Sequence, residues 1–153
     1  MARKKTPELD LRQFLPYRLD QLAARISKSL STIYGERFGL MIPEWRVLAW
    51  LSNEGTMTAK DIARLAQMDK ATTSRSVQRL AERGLIQRET LPHDQRSQQL
   101  SLTKESDGLL SELLPLALDW EARLLENFTA QELRDLQNLL GKLERQLARM
   151  NDT

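Results

Sequence analysis

Apolar side chains recur at steps of three and four residues near both ends of this 153-residue chain. Near the N-terminus they are Leu15, Leu19, Leu22, Ile26, Leu30 and Ile33. This spacing predicts one long amphipathic helix that ends in the region of Gly35 to Gly39. Near the C-terminus they are Leu133, Leu136, Leu140, Leu143, Leu147 and Met150. This second set has the period of a coiled-coil seam, and the capping box of Thr129 and Glu132 predicts where its helix begins.

Another helix is expected to begin at Thr103, before a run of leucines that includes Leu109 and Leu113. Pro115 either kinks this helix or divides it. Apolar seams on terminal helices are best explained as a dimerisation region, because a seam of this kind needs a partner surface. The alternative is that these helices pack only against their own domain.

Between these helices, the pattern predicts two short helices joined by a tight turn. Thr58 is a candidate N-cap of the first, with Asp61 reaching back as a variant of the capping box. Asp69 is a candidate N-cap of the second, which extends over residues 69–83 and is followed by Gly84 at a C-cap position. Two strand-like runs, residues 85–90 and 98–102, then flank a loop at residues 91–97. This order of elements is that of a winged helix-turn-helix.

The second short helix combines an apolar side with a polar one. Taking 100° per residue from Val77, the opposite side carries Thr72, Arg75, Ser76, Arg79 and Arg83. Arginine can bond guanine in two places and serine or threonine adapts to several bases, so this exposed stripe could read a DNA groove. The alternative is that Arg75 and Arg79 pair with Glu82 on a solvated helix face.

The loop between the two strands carries further charged residues. Arg96 could enter a narrow minor groove, where negative potential is concentrated. Asp94 could orient Arg96 or could simply form the turn. His93 is the only histidine, and it has no neighbouring nucleophile or second ligand in sequence. A solvated residue in the loop is therefore favoured for His93 over a catalytic base or a metal ligand.

Several of these motifs together resemble the MarR family of bacterial transcription regulators. They are Leu65-Ala66, the run from Asp69 to Arg75, the run from Leu80 to Ile86, Asp94-x-Arg96-Ser97, Leu102-Thr103 and the upstream helix with Trp45 to Leu48. The resemblance implies a dimeric repressor or activator whose affinity for DNA is often set by a small ligand. It also implies that the recognition helix covers residues 69–83 and that the wing arginine is Arg96.

The expected fold is mainly α with a small β-wing. We expect a single domain over residues 1–153, in which a winged helix-turn-helix at 40–103 is flanked by dimerisation helices at 8–37 and 104–150. The residues expected to bind DNA lie on the recognition helix and the wing. They are Lys70, Ala71, Thr72, Ser74, Arg75, Ser76, Arg79, Asp94, Arg96 and Ser97.

Charge is distributed unevenly along the chain, although the net charge is only +2. Residues 56–104 hold nine Lys or Arg against five Asp or Glu, whereas residues 105–153 hold five against ten. Contact with phosphate is therefore expected from the middle of the chain. The absence of cysteine excludes disulfides and thiol-based sensing. No apolar run approaches the ~20 residues of a membrane span, and no signal-peptide core follows the basic N-terminus, so a cytoplasmic protein is expected.

Four residues suggest a pocket for a small effector. Phe14, Tyr17 and Trp45 are aromatic, and Arg18 could meet a carboxylate, which predicts binding of an aromatic acid where the first, second and fifth helices meet. The alternative is that these aromatic residues belong to the core or to an interface.

The sequence as a whole predicts a sequence-specific DNA-binding regulator. We expect a homodimeric repressor that binds a palindromic operator in double-stranded DNA and is released by the small ligand. The alternative is a helical, dimeric protein-interaction module without specific DNA binding. No convergent acid, base, nucleophile or phosphate loop is present, so no enzyme activity, cofactor or metal is expected.

Overall fold

The computed structural model describes residues 6–152, except for the side chains of residues 94–96. The described chain forms six helices and three strands. In chain order they are α1 (Leu15–Phe38), α2 (Ile42–Glu54), β1 (Met57–Thr58), α3 (Ala59–Ala66), α4 (Lys70–Glu82), β2 (Ile86–Leu91), β3 (Asp94–Leu102), α5 (Lys104–Leu124) and α6 (Ala130–Asn151). The expected fold class, mainly α with a small β-wing, is confirmed.

The predicted helix boundaries are confirmed where a local capping signal exists. The Thr58 hydroxyl accepts a hydrogen bond of 3.2 Å from the Asp61 N–H at the start of α3. The Asp61 carboxylate lies 3.7 Å from Arg64 on the same helix. At the start of α6, Thr129 and Glu132 form the complete capping box that the sequence predicts. Asx and Thr caps therefore position the helices on which the rest of the fold depends.

One predicted boundary needs correction, and one open alternative is decided. The first helix was expected from residue 8, but α1 begins at Leu15, because Pro16 has no N–H to donate and fits only in the first turn of a helix. The possible break at Pro115 does not occur, since α5 continues through this residue. The expected start of α5 is close, with Thr103 directly before the helix. The hydroxyl of Thr103 accepts a 3.2 Å hydrogen bond from the Ser106 N–H and so serves as its cap.

The described residues divide into two compact units between Ala117 and Leu118, within α5. In the first unit, the three strands form an antiparallel sheet in the order β1-β3-β2. Met57 pairs with Leu100 across β1 and β3, and Ile86 pairs with Leu102 across β2 and β3. The two-residue strand β1 was not predicted, because so short a segment has no measurable alternation.

A single apolar core organises the first unit. Its fully buried side chains come from all of the first five helices and the sheet, and include Tyr34, Val47, Leu48, Ile62, Leu80, Leu100 and Leu113. At ~25 cal/mol per Å² of apolar surface removed from water, such side chains each contribute roughly 1.5 to 3 kcal/mol. The core therefore holds α4 against α2, α3 and the sheet.

The helical ends of the chain leave many apolar side chains exposed. On α1 these include Leu15, Leu19 and Leu22, which are 46%, 38% and 47% exposed. In the second unit, α6 has no buried residue. Its exposed apolar residues are Leu139, Leu140, Leu143, Leu147 and Met150. The alternative interpretation of the sequence required these helices to pack against their own domain. The N-terminal half of α1 does not pack in this way, because its leucines remain exposed.

Candidate nucleic-acid interface

The start of α4 is fixed by Asp69 and Thr72. The Asp69 carboxylate accepts hydrogen bonds of 2.7 Å from the Thr72 N–H and 2.9 Å from the Thr72 hydroxyl. These bonds, led by the one from the Thr72 backbone, lower the pKa of Asp69, and the positive charge of Arg75 adds to the effect. A carboxylate at this position also interacts favourably with the positive end of the helix dipole, so Asp69 stabilises the first turn of α4.

One side of α4 is buried in the core and the other is open to solvent. The buried side carries Thr73, Ser76, Val77 and Leu80, none of which is more than 5% exposed. The exposed residues before Arg83 are Lys70, Ala71, Ser74, Arg75, Gln78, Arg79 and Glu82. A face with two arginines, an amide and a hydroxyl is therefore presented outward, and it projects from a helix that the core holds in place.

Ser76 does not lie on this exposed face, so its placement there by the sequence analysis was wrong. It is 2% exposed, and its hydroxyl donates a 2.8 Å hydrogen bond to the Thr72 carbonyl. A small hydroxyl that is satisfied by its own helix can be buried at little cost. Thr73 is buried in the same way, and its hydroxyl donates to the Asp69 carbonyl. The exposed arc therefore includes Arg75 and Arg79 but not Ser76.

Arg75 lies at the centre of the exposed face and is partly oriented by its own helix. One of its guanidinium nitrogens is 3.4 Å from the Thr72 hydroxyl oxygen. Thr72 is half-buried. Its hydroxyl donates a hydrogen bond to Asp69 and is therefore already engaged in the helix cap. Glu82 accepts a hydrogen bond from Gln78, 2.8 Å away. The alternative in which Arg75 pairs with Glu82 is not the arrangement in the structure.

The loop at the tip of the wing is shorter than the sequence indicated. The loop was expected over residues 91–97, but Leu91 pairs with Asp94 and only Pro92 and His93 form the turn. Because Thr90 pairs with Gln98, the pairing register shifts here and the extra residues of β3 lie at this irregularity. The side chains of Asp94 and Arg96 lie outside the described part of the chain, and their roles stay predictions.

A groove of about 400 Å³ separates α4 from the wing. Its polar lining consists of Thr58, Lys60, Ser74, Gln78, Arg88, Ser97 and Gln98. Arg88, on β2, donates a 3.0 Å hydrogen bond to the Gln78 amide oxygen. Lys60, Gln78 and Arg88 were not among the expected site residues. The period of β2 could have indicated Arg88, because side chains two residues apart on a strand point to the same face and the residue two before Arg88 is the buried Ile86.

The part of the chain with this geometry is similar to known proteins. The MarR family profile matches residues 38–97. The HTH-type transcriptional regulator YwoH of Bacillus subtilis is 32% identical over 118 residues, which cover 77% of this chain and 85% of that protein. The chain belongs to the MarR family. It is therefore a transcription regulator with a winged helix-turn-helix, and the similar proteins are regulators rather than enzymes.

Solved structures of MarR regulators have the same fold. A MarR/EmrR family regulator from Acinetobacter sp. ADP1 is 28% identical, with a TM-score of 0.82 over 92% of this chain and 99% of that one. A MarR family regulator from Silicibacter pomeroyi is 30% identical, with a TM-score of 0.77 over 95% of this chain and 97% of that one. The resemblance stated from the motifs is thereby confirmed over nearly the whole chain.

The four residues expected to form an effector pocket in this MarR protein do not come together within one chain. Trp45 stacks on the buried Tyr34, with ring centroids 5.2 Å apart, and burial raises the pKa of Tyr34. Arg18 precedes Tyr34 by 16 residues on the continuous helix α1. At 1.5 Å per residue, the two are about 24 Å apart along the helix. Phe14 and Tyr17 lie still nearer the start of α1 and are exposed.

Trp45 instead borders a shallow groove on α2, which is lined by Trp45, Arg46, Ala49, Trp50 and Asn53.

His93 is exposed at the turn of the wing. Among the side chains that the structure describes, no three His, Asp or Glu residues gather closely enough to hold a metal ion. Nor does any described helix have the length and apolar character needed to cross a membrane.

Proposed function

We propose that this MarR regulator acts as a homodimer that binds a palindromic operator, with one α4 helix in each of two successive major grooves. The two grooves are about 34 Å apart on one face of the duplex. Binding represses transcription in this proposal, and a small ligand, such as an aromatic acid, releases the protein by favouring a different arrangement of the subunits. The site of action is the cytoplasm, where bacterial DNA lies.

The observation that carries this proposal is the two-sided character of α4. Val77 and Leu80 are 5% and 0% exposed, while Arg75 and Arg79 project from the opposite side into solvent. A helix with this division can enter a groove without uncovering the core. It also offers the groove a rigid set of donors, since its N-cap and its buried residues fix its orientation.

The exposed residues suggest separate roles. Arg75 and Gln78 are suited to base edges, because arginine bonds guanine in two places and glutamine can do the same with adenine. Lys70 and Arg79 are suited to phosphates, and Ser74 and Ala71 to close approach along the groove. On the wing, Arg96 would reach the minor groove beside Asp94 and Ser97. Ser76 is left out of this set because it is buried.

The exposed leucines of α1 and of α6 support dimerisation. Monomeric proteins rarely leave extended rows of large apolar side chains in water. On α6, Leu140, Leu143 and Leu147 follow the coiled-coil period and are 38%, 42% and 58% exposed. A second copy of the chain, with the same rows, is the partner that this proposal assigns to them.

Selection of bound duplexes from random DNA, followed by a salt titration of the best duplex, tests the proposal. A palindromic consensus is expected, and the logarithm of affinity should fall linearly with the logarithm of salt concentration, with a slope near −0.9 per phosphate neutralised. Arg96→Ala is expected to weaken binding by about 1 to 3 kcal/mol without unfolding the protein.

The alternative interaction module makes a different prediction in the same experiment. It would dimerise through its helices, yet it would give no consensus duplex, and its weak affinity for DNA would not depend on sequence. Arg37→Ala is a suitable control for Arg96→Ala, because Arg37 is exposed on α1 and pairs with Glu112 of α5, so it belongs neither to the exposed face of α4 nor to the wing. Equal losses in the two variants would indicate only a general effect of charge.

A further inference from the structure

The C-terminal end of the recognition helix α4 is joined to the end of α1 by one side chain. Arg83 directly follows α4, and its guanidinium donates hydrogen bonds of 2.8 Å to the Phe38 carbonyl and 3.1 Å to the Gly39 carbonyl. Phe38 is the last residue of α1, and Gly39 is its C-cap. The two residues that receive these bonds are 44 and 45 positions away in sequence, so the contact fixes two separate elements to each other.

The chemistry of this contact makes it a stiff one. The last carbonyls of a helix have no partner within the helix and carry the negative end of its dipole. Arginine presents its donors in a planar fork and keeps its charge at all ordinary pH values. Hydrogen bonds from a charged donor are roughly twice as strong as neutral ones. Arg83 therefore binds α1 at the place where a cation is most favourable.

Other contacts hold the same end of α4. Arg79, one turn earlier, lies 3.8 Å from the sulfur of Met41, in the connection between α1 and α2. On the other side, the Thr103 hydroxyl donates a 2.7 Å hydrogen bond to the Gly84 carbonyl, directly before α5. The end of α4 thus lies where α1 finishes and α5 starts. Both of those helices also carry exposed leucines.

The position of Arg83 separates it from the DNA-facing residues. It follows Arg75 by eight residues, which places it about 80° around the helix. To reach a phosphate, its guanidinium would have to break its hydrogen bonds to the Phe38 and Gly39 carbonyls. Its expected place on the exposed polar stripe therefore does not make it a contact to DNA.

We propose that Arg83 is a positioning residue, which sets the angle of α4 relative to α1 and so the separation of the two recognition helices in the dimer. This inference rests on the proposed function, because the separation matters only when two recognition helices bind one operator. A change in the angle of α1 would be passed to α4 through the Arg83 hydrogen bonds. Arg83 therefore controls which spacing of operator half-sites the protein prefers.

The test uses the full chain and a series of duplexes in which the spacer between the selected half-sites is changed by one or two base pairs. Arg83→Met keeps the apolar stem and removes the donors. Arg37→Met is the matched control, because Arg37 is a cation at the same end of α1 that meets Glu112 at 3.4 Å and the Phe38 ring at 5.4 Å but does not bind the carbonyls that Arg83 binds. Affinity, salt slope and unfolding midpoint are measured for each variant.

For the wild type, we expect affinity to fall about tenfold when the spacer departs from its optimum, within the usual range of coupling between sites. In Arg83→Met, this preference should shrink to about threefold while the salt slope is unchanged, because no phosphate contact is lost. Arg37→Met should keep the wild-type preference. This combination is not expected from a residue that only stabilises the fold.

Two results would overturn the inference. One is a wild-type spacing preference in Arg83→Met, and the other is a uniform loss at every spacing with a salt slope smaller by about one, which identifies a phosphate contact. If Arg83→Met does not fold, the same series is run on Arg83→Gln, whose shorter amide cannot span to both carbonyls. A wild-type protein without any preferred spacing would contradict the proposed function itself, and the role of Arg83, which rests on it, would fall at the same time.

Discussion

The Ser76 hydroxyl donates a 2.8 Å hydrogen bond to the Thr72 carbonyl, four residues earlier in α4, and this bond satisfies the hydroxyl within the core. Ser74, only two residues away, is exposed and borders the groove beside the wing. Two serines of the same helix therefore belong to opposite faces. This division separates the contribution of α4 to the fold from its contribution to binding.

The two serines should respond differently to the same substitution. Ser74→Ala is expected to weaken operator binding by about 0.5 to 1.5 kcal/mol, the usual net value of one hydrogen bond, and to leave unfolding unchanged. Ser76→Ala should leave operator affinity unchanged and alter stability by no more than about 1 kcal/mol. Duplex titrations and urea unfolding of both variants measure the effects. A loss of affinity in Ser76→Ala but not in Ser74→Ala would contradict the assignment of the DNA-binding face of α4.

Arg75 should be the residue on which base preference depends most. Arg75→Ala is expected to weaken binding of the selected operator by about 1 to 3 kcal/mol and to relax the preference at one base position of each half-site. Arg64→Ala is a matched control, because Arg64 is also exposed and meets only Asp61 in its own helix. Repeating the selection with each variant shows the preference directly. An unchanged consensus with Arg75→Ala would contradict the assigned role.

The leucine row of α6 can be tested without DNA. Leu143→Glu places a charge within the proposed seam and should convert the dimer to a monomer in sedimentation equilibrium. Operator affinity should then fall by about 100-fold, since two linked contacts are replaced by one. Gln137→Glu adds the same charge at an exposed position of α6 outside the seam, and it should remain dimeric. If the Leu143→Glu protein remains dimeric, the dimer interface does not depend on the leucine row of α6.

Asp69 predicts a dependence of stability on pH. Its pKa is lowered in the folded chain from the ordinary value of 3.8 by the hydrogen bonds from Thr72. The stabilisation is therefore complete above this ordinary value and is lost as the pH falls through the lower pKa of the folded state. Asp69→Ala should be less stable than the wild type at neutral pH, and the difference should shrink in acid.

Asp69→Asn provides the control for this pH effect. Asparagine caps helices about as well as aspartate but does not titrate. Its stability should exceed that of Asp69→Ala, and the gap between these two variants should not shrink in acid. Urea unfolding from neutral pH down to about pH 3 measures all three proteins. A gap between wild type and Asp69→Ala that persists in acid would assign the effect to another group.

The turn between α3 and α4 contains a residue in an unfavourable backbone conformation. Gln67 has a φ of 52°, in the left-handed region that favours glycine. Gln67→Gly should therefore stabilise the protein by about 0.5 to 1 kcal/mol, after the greater freedom of glycine in the unfolded chain is taken into account. Gln67→Val should destabilise it, because a branched side chain fits this region least well. Thermal unfolding of both variants measures the sign.

The bounds of the recognition helix could be predicted from sequence because its signals are local. Asp69 caps the helix through bonds to Thr72, and Gly84, with a φ of 73°, lies just beyond its end. The family motifs occur in this same segment. Such features depend on a few neighbouring residues, so the sequence alone identifies them.

The inaccurate predictions concern relations between distant elements. Burial of Ser76 depends on the helices and strands packed against α4, and the hydrophobic pattern cannot report a hydroxyl that is satisfied by its own backbone. The place of Arg83 against Phe38 depends on the path of α1. Likewise, grouping Phe14 with Trp45 assumed that residues in adjacent helices are near each other, although a straight helix of 24 residues carries them far apart.

Thr58 belongs to two elements at once. It pairs with Gln99 as part of the sheet, and its hydroxyl caps the helix that follows. One inserted residue directly after Thr58 would separate these two tasks, so that Thr58 could keep its strand pairing or its capping role but not both. The tip of the hairpin carries no such double duty, because its register is already irregular. Changes in length should therefore disturb the fold less at the outer end of the wing than at its base, so that the reach of the wing can be altered without moving its root.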